Sequence, residues 1–142
     1  MIKKNKLSVI EQLASLKKEY SFGKTTMLCR NKIKWEGYLK SSPLGDEYLV
    51  RLIYKLNDVP QVFVLEPIPL ELPEEESRLK HVYNQDKQEL CLYYPKAKEW
   101  TSSQYISHTI MPWAIEWLYH YEIWLMTGEW TGGGIVHTSD KR

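Results

Sequence analysis

Polar and apolar residues alternate through the first half of the chain, and this period of two constrains the fold more than any other feature. The first alternating segment spans residues 25–39, with Asn31 at a bulge or turn near its start, and the second spans residues 48–56. A third apolar segment covers residues 62–65. Alternation places apolar side chains on one face of a strand, and short turns between successive strands are typical of an antiparallel meander. The pattern therefore predicts consecutive antiparallel strands.

A helix is predicted before these strands. Ser8 and Glu11 have the spacing of a capping box, in which each residue satisfies a free backbone group of the first turn. Apolar residues then recur at steps of three and four, and Gly23 ends the pattern. We expect this helix over residues 8–20.

A longer helix is predicted near the carboxyl end. Pro112 lacks an amide hydrogen and indicates a kink or a fresh helix start, while Gly128 is placed to cap the end. A broad apolar stripe with helical spacing defines this helix and is more typical of core packing than of a ligand cage. It consists of Ile106, Ile110, Trp113, Ala114, Trp117, Leu118, Tyr121, Trp124 and Leu125.

The chain between the strands and the long helix is predicted to be mostly irregular. Pro67, Pro69 and Pro73 keep the chain extended and outside any central ladder. A short apolar piece, residues 79–83, is placed to add a fourth strand at the sheet edge, and the stretch 81–95 after it is expected to be largely irregular.

This order of elements predicts the α+β class. We expect an N-terminal helix, an antiparallel meander of three to four strands, an irregular active-site loop and a long C-terminal helix packed on the sheet. The 142 residues suit a single domain, 1–142, with a core of about residues 5–127 and a flexible, glycine-rich tail over residues 128–142.

Composition excludes several classes of protein. A formal net charge of +1 gives no electrostatic case for nucleic acid or an anionic membrane. The most hydrophobic region, residues 110–126, contains Glu116, His120 and Glu122, which a bilayer-spanning helix would have to bury. No apolar run of signal-peptide length follows the amino end, so a cytoplasmic protein is expected.

Cys91 is the residue on which we expect covalent chemistry to depend. The two cysteines of the chain, Cys29 and Cys91, form no metal-type pair, and in a reducing cytoplasm both are expected to be free thiols. An isolated cysteine is most often a small core residue. Cys91 differs because it follows a polar loop outside any periodic element, whereas Cys29 lies within a strand pattern and keeps the core interpretation.

The histidines are weaker candidates. His81 lies ten positions before Cys91 and is interpreted as a residue that supports the loop, in preference to a base paired with the thiol. His137, in the tail, is placed to fold back and tune the pKa of Cys91. A zinc site needs three or four ligands at short spacings, and this pattern is missing from the sequence. No metal and no cofactor are expected.

The order of these elements and the spacing His81, Cys91-Leu92, Trp100 resemble the ubiquitin-conjugating enzyme (UBC) fold. In that family a His-Pro-Asn motif precedes the catalytic cysteine, and a tryptophan follows the Cys-Leu pair at a similar spacing. The resemblance covers roughly residues 5–127. It implies that Cys91 is catalytic and that Trp100 is a structural residue near the site.

One departure from the motif concerns the asparagine that is thought to stabilise the oxyanion. That position corresponds to Tyr83, and the nearest asparagine, Asn84, comes one place later. Proline is also absent after His81. Tyr83 or Asn84 is therefore expected to supply the polar group, and the departure bears on lysine transfer more than on thioester formation.

The Trp-rich helix and the residues around Cys91 are similar to a bacterial branch of the family that occurs in CBASS antiphage operons. That resemblance implies an acyl carrier in which Cys91 forms a thioester with the C-terminus of a partner, a cGAS-like nucleotidyltransferase, and passes it to an amine. The chain resembles the stand-alone form, without an activating domain. The alternative is a non-catalytic binding module on the same scaffold, and a thiol redox protein is disfavoured because no resolving cysteine lies at a useful spacing.

Overall fold

A computed structural model describes residues 6–92 and 100–131 of the chain. Two helices flank a six-stranded antiparallel sheet, which confirms the α+β class. The helices are α1, Val9–Glu19, and α2, Ile110–Thr127, and a short 3-10 helix, Ile106–His108, precedes α2. The strands are β1, Lys24–Cys29; β2, Lys32–Leu39; β3, Tyr48–Lys55; β4, Gln61–Glu66; β5, Val82–Asn84; and β6, Glu89–Leu90.

The sheet has the strand order β1-β2-β3-β4-β6-β5, so the predicted number of three to four strands is wrong. The first predicted strand is two strands, because the chain turns at Arg30 and Asn31 and pairs Cys29 with Lys32. The strand expected at the sheet edge exists as β5, but it reaches the sheet through β6. With two residues, β6 is too short to show a period of two in the sequence.

The expectation of an irregular stretch from residue 81 is wrong for residues 82–90, which form the hairpin β5–β6. Side-chain amides hold this hairpin. Gln88 is 2% exposed, accepts the Leu70 N–H at 2.7 Å and donates to the carbonyl oxygens of Val64 and Pro67. Hydrogen bonds made by a buried side-chain amide produce no periodic pattern in the sequence. The alternation of polar and apolar residues therefore did not predict the hairpin.

Both helix ends follow their sequence signals. At the start of α1 the Ser8 hydroxyl accepts the Glu11 N–H, and the Glu11 carboxylate accepts the Ser8 N–H, so the capping box is confirmed. Gly128 ends α2 with φ at 82°, and its N–H donates to the Trp124 carbonyl at 2.7 Å. A fresh helix start before Pro112 is also confirmed, since α2 begins at Ile110 and places Pro112 in its first turn.

The hydrophobic core lies on one face of the sheet. The alternating residues Ile33, Trp35 and Leu39 of β2 are buried, as the period of two predicts. The Trp35 indole lies against Gly23 and Gly37, where an added Cβ would come within 2.3 Å and 2.8 Å of the ring. Glycine at both positions therefore lets the backbone approach the ring closely.

Helix α2 packs against this face through Tyr121 and Glu122. The rings of Tyr48 in β3 and Tyr121 meet edge to face at 6.0 Å, and the Tyr48 hydroxyl donates to Glu122 at 2.9 Å. The Glu122 carboxylate also accepts the Ser41 hydroxyl at 2.7 Å, which ties the β2–β3 loop to the helix. Among the described residues, no helix is both long and apolar enough to cross a membrane.

Candidate active site

Cys91 directly follows β6, at the end of the sheet where the hairpin lies. Its side chain is half-buried, and its N–H donates to the main-chain carbonyl of His81 at 2.9 Å. This bond extends the β5–β6 ladder one step beyond the pair Val82–Leu90. The backbone at the start of the Cys91 segment is therefore fixed to the sheet edge.

His81 has a left-handed backbone, with φ at 55°, which is uncommon for a residue with a side chain. Its carbonyl accepts a second hydrogen bond from the Trp117 indole N–H at 3.0 Å. Its imidazole packs on the Trp130 indole, with ring centroids 5.0 Å apart. Each part of His81 thus contacts a tryptophan from α2 or from the segment that follows it.

Tyr83 and Asn84, the two candidates for the polar group, lie in β5. The register shifts between Val82 and Asn84, so Tyr83 occupies a bulge and is 48% exposed. The Asn84 side-chain oxygen accepts the Lys87 N–H at 2.8 Å and closes the hairpin turn. The oxygen of Asn84 is therefore used in a turn, whereas about half of the Tyr83 side chain is exposed on the edge strand.

Trp100 marks the far end of the segment that begins at Cys91. It is 6% exposed, its indole N–H donates to the Thr109 hydroxyl at 3.1 Å, and its ring meets Tyr54 of β3 edge to face at 5.7 Å. These contacts fix Trp100 between the sheet and the start of α2. Residues 93–99, and His137 in the tail, lie outside the described residues.

An aromatic layer on and after α2 backs the His81–Cys91 bond. The rings of Trp117 and Tyr121 are stacked, 5.6 Å apart and 8° from parallel, and Trp130 lies 5.4 Å from Trp117. Burial raises the pKa of Tyr121 above its ordinary value, so its hydroxyl stays protonated and donates to the Glu71 carbonyl at 2.6 Å. Sequence reasoning assigned Trp117 to the core and missed its bond to His81, because helical spacing reveals a buried face and not the partner of an indole N–H.

Cys29 is remote from this site. It is exposed at the end of β1, where its thiol donates to Asn31 at 3.2 Å, so the expectation that Cys29 is a core residue is wrong. Because β1 and β6 are separated by four strand spacings in the sheet, the two cysteines are about 19 Å apart or more. Neither cysteine forms a disulfide within the part of the chain that the structure describes, and neither can serve the other as a disulfide partner without a large rearrangement.

The described residues contain no group of three or more histidine, cysteine, aspartate or glutamate side chains that could hold a metal ion. What the site offers is a half-buried thiol at the start of a chain segment, with its backbone fixed by a strand on one side and α2 behind it. This arrangement suits a nucleophile whose attack on a bound group requires a fixed position.

Comparison with known proteins places the chain in a family. The family model for the Type II CBASS E2 protein matches residues 12–138, which include the sheet, Cys91 and α2, and the chain belongs to this family. The resemblance to the CBASS conjugating-enzyme-like proteins is thus confirmed. A search of the curated proteins found no match. Membership indicates a role in CBASS antiphage defence, a protein partner from that system and activity of the conjugating-enzyme class.

Proposed function

We propose that this protein is an acyl carrier with a UBC-like fold, and that Cys91 forms a thioester with the C-terminus of a partner protein. The observation that carries the proposal is the position of Cys91, half-buried directly after β6 with its N–H bonded to His81. In the UBC family the catalytic cysteine has a similar spacing from an upstream histidine and a downstream tryptophan. The match to the CBASS family spans all three residues, His81, Cys91 and Trp100.

The proposed reaction has two steps. The Cys91 thiol loses its proton, and the thiolate attacks a partner's C-terminal carbonyl that another protein has activated as a thioester. The C–S bond to Cys91 forms, the bond to the activating group breaks, and that group leaves with the electron pair. A neutral amine then attacks the new thioester, the Cys91 thiolate leaves, and the amine loses a proton as the amide forms. Covalent capture divides one difficult step into two easier steps.

The partner we propose is a cGAS-like nucleotidyltransferase of the same defence system, in the cytoplasm. Its C-terminal tail would lie beside the Cys91 segment. The hairpin and α2 supply a rigid support for such a site, because Gln88 fixes the hairpin to the Pro67 loop and Trp117 fixes His81 to the helix. Binding residues on a loop are most effective when a rigid scaffold positions them.

For the oxyanion of the transfer step, we propose the Tyr83 hydroxyl as donor in preference to the Asn84 amide. Tyr83 occupies the position that matches the family's asparagine and projects from the sheet edge, while Asn84 closes a turn. The contacts of His81 with Trp117 and Trp130 support a role in holding the loop. A pKa-tuning role for His137 stays a prediction.

The second candidate function is a non-catalytic binding module. Asn84 favours it, because the family's position holds Tyr83 and the adjacent Asn84 side chain closes the hairpin turn through Lys87. In that case a half-buried Cys91 would be retained for packing, and its removal would leave the protein's action on a partner unchanged.

Expression of the protein together with the other proteins of its operon tests the proposal. On gels without reductant we expect a shifted band of the size of protein plus partner, which reductant removes. Cys91→Ala is expected to abolish the band, and Cys29→Ala, which alters an exposed thiol at the opposite sheet edge, is expected to preserve it. A band that survives Cys91→Ala would exclude Cys91 as the carrier, and normal defence in that variant would favour the binding module.

A further inference from the structure

We propose that Trp117 is a positioning residue for Cys91, because its indole N–H holds the His81 carbonyl in the orientation that receives the Cys91 amide. The inference deepens the proposed function and rests on it, since it concerns how the acyl-carrying thiol is held. Neither the sequence pattern nor the family assignment gives Trp117 this role.

The His81 carbonyl has two lone pairs and two donors. One donor is the Cys91 N–H at 2.9 Å and the other is the Trp117 indole N–H at 3.0 Å. The first bond alone would join two adjacent pieces of the same sheet edge. The second bond connects that edge to α2, so the start of the Cys91 segment is fixed to two elements.

The backbone of His81 explains why the second bond is needed. A left-handed conformation, φ at 55°, is unfavourable for a residue with a Cβ and persists when surrounding contacts enforce it. The indole N–H is such a contact, because it binds the carbonyl of the strained residue directly. Without it, we expect His81 to move toward an ordinary conformation and carry its carbonyl away from Cys91.

Trp117 can serve as a fixed point because its own position is determined by other contacts. It is 4% exposed, stacks on Tyr121 and is covered by Trp130. Tyr121 is in turn held by its hydrogen bond to the Glu71 carbonyl. A misplacement of about 1 Å at a reacting group is enough to slow a reaction about a hundredfold, so a rigid support behind the nucleophile has a direct kinetic consequence.

Trp124 provides a matched control on the same helix. It is 0% exposed, and its indole N–H is buried without a hydrogen-bond partner among the residues that the structure describes. Trp117→Phe and Trp124→Phe remove the same atoms from two buried positions. Of the two, Trp117→Phe alone removes a hydrogen bond to His81.

The test observes the Cys91 amide directly. In a Cys29→Ser background, labelling with ¹⁵N-cysteine leaves one labelled residue in the chain, Cys91. We would measure hydrogen exchange of this amide in the background protein and with Trp117→Phe or Trp124→Phe added, and global stability by urea unfolding in each. Because Trp117→Phe loses one neutral hydrogen bond, we expect the Cys91 amide to exchange about five to ten times faster than the variant's loss of global stability alone would cause. For Trp124→Phe, we expect any change in the exchange rate of the Cys91 amide to be fully explained by the change in global stability.

A second variant covers the case in which Trp117→Phe fails to fold. Benzothienylalanine at position 117 replaces the ring N–H by sulfur and keeps the size of the indole, and it is expected to accelerate Cys91 exchange in the same way. Alkylation of the thiol by iodoacetamide supplies an independent measurement. We expect a faster reaction in both Trp117 variants and an unchanged rate in Trp124→Phe, because a loosened segment exposes the half-buried thiol.

The outcomes separate this inference from the proposed function. Equal protection of the Cys91 amide in the background protein and in the folded Trp117 variants would overturn the positioning role, whether or not a thioester forms. If hydrogen exchange of the Cys91 amide changes as expected but the unmodified protein forms no thioester, the positioning role of Trp117 stands and the acyl-carrier function is rejected. If both hold, Trp117→Phe is expected to lower the maximal rate of thioester formation with little change in the partner concentration for half-maximal rate.

Discussion

The amide N–H of Cys91 donates to the main-chain carbonyl of His81 at 2.9 Å, so the two residues that define the sequence motif are joined through the backbone. The sequence places them ten positions apart, and the hairpin β5–β6 brings them together. If the carbonyl is the part of His81 that matters, the side chain is replaceable. Substitutions at His81 can therefore separate a supporting residue from a base.

His81→Gly and His81→Ala both remove the imidazole and keep the carbonyl. Glycine adopts positive φ without strain, whereas alanine does not, so we expect His81→Gly to be more stable than His81→Ala by about 1 kcal/mol. Urea unfolding measures the difference. Thioester formation is expected to persist in His81→Gly, and its loss in both variants while the fold remains intact would show that the imidazole takes part in the chemistry.

Tyr83 and Asn84 can be distinguished by single substitutions that each remove one candidate donor. Asn84→Asp keeps an oxygen for the Lys87 N–H and removes the amide donor, and Tyr83→Phe removes only the hydroxyl. Loss of one oxyanion donor slows transfer about a hundredfold, so we expect that effect from Tyr83→Phe and not from Asn84→Asp. Discharge of a preformed thioester to a small amine gives the rates, and the reverse ranking would assign the donor to Asn84.

Gln88 is expected to be essential for the hairpin that carries the site. Gln88→Ala leaves the Leu70 N–H and the Val64 and Pro67 carbonyls without their side-chain partner in a buried region, and we expect a loss of about 3 kcal/mol. Urea unfolding would measure this cost. Gln85→Ala is the control, because Gln85 is half-buried and, among the described residues, bonds the main chain of Leu79, and a smaller loss of about 1 kcal/mol is expected. Equal losses would contradict the role of Gln88.

Alkaline pH is expected to destabilise the fold through Tyr48 and Tyr121. Burial, and for Tyr48 the hydrogen bond to Glu122, raises the pKa of each phenol in the folded state above its ordinary value of 10.0. The folded protein therefore retains protons that the unfolded chain loses. The stability is fully present below pH 10 and falls above it, by about 1.4 kcal/mol per pH unit for each such group.

Tyr48→Phe tests this linkage. It is expected to cost about 1 kcal/mol near neutral pH, because the hydrogen bond to Glu122 is lost, and to make the alkaline decline less steep. Tyr119→Phe is a suitable control, since Tyr119 is 48% exposed at the surface of α2. An alkaline slope that is unchanged in Tyr48→Phe would assign the decline to other groups.

The features that the sequence predicted well depend on local rules. The Ser8–Glu11 capping box, the cap at Gly128 and the buried face of β2 each follow from spacing over a few residues. The predicted sheet had too few strands, because β6 contributes only two residues and the β5–β6 hairpin depends on the buried side-chain amide of Gln88. Neither feature has a period that a sequence pattern can reveal.

At the candidate site, the assignment of Cys91 stays a prediction, and nothing in the sequence indicated the contacts that support this residue. The spacing of His81, Cys91 and Trp100 pointed to the thiol, but the spacing says nothing about which group of His81 is used. Trp117 was assigned to the core by its helical position, and this is correct for its ring, which is 4% exposed. Its N–H contacts a carbonyl 36 residues earlier in the chain, and such a contact depends on tertiary structure alone.

The most direct test of the central claim is the mass of a trapped adduct on Cys91→Ser. Serine forms an oxygen ester in place of the thioester, and such an ester reacts more slowly with amines and survives reductant. After co-expression with the partner, intact-mass spectrometry is expected to show a species equal to both proteins minus one water, with peptide mapping that locates the link to position 91. A link at any other position, or an adduct of unchanged yield in Cys91→Ala, would contradict the assignment of Cys91 as the acyl carrier.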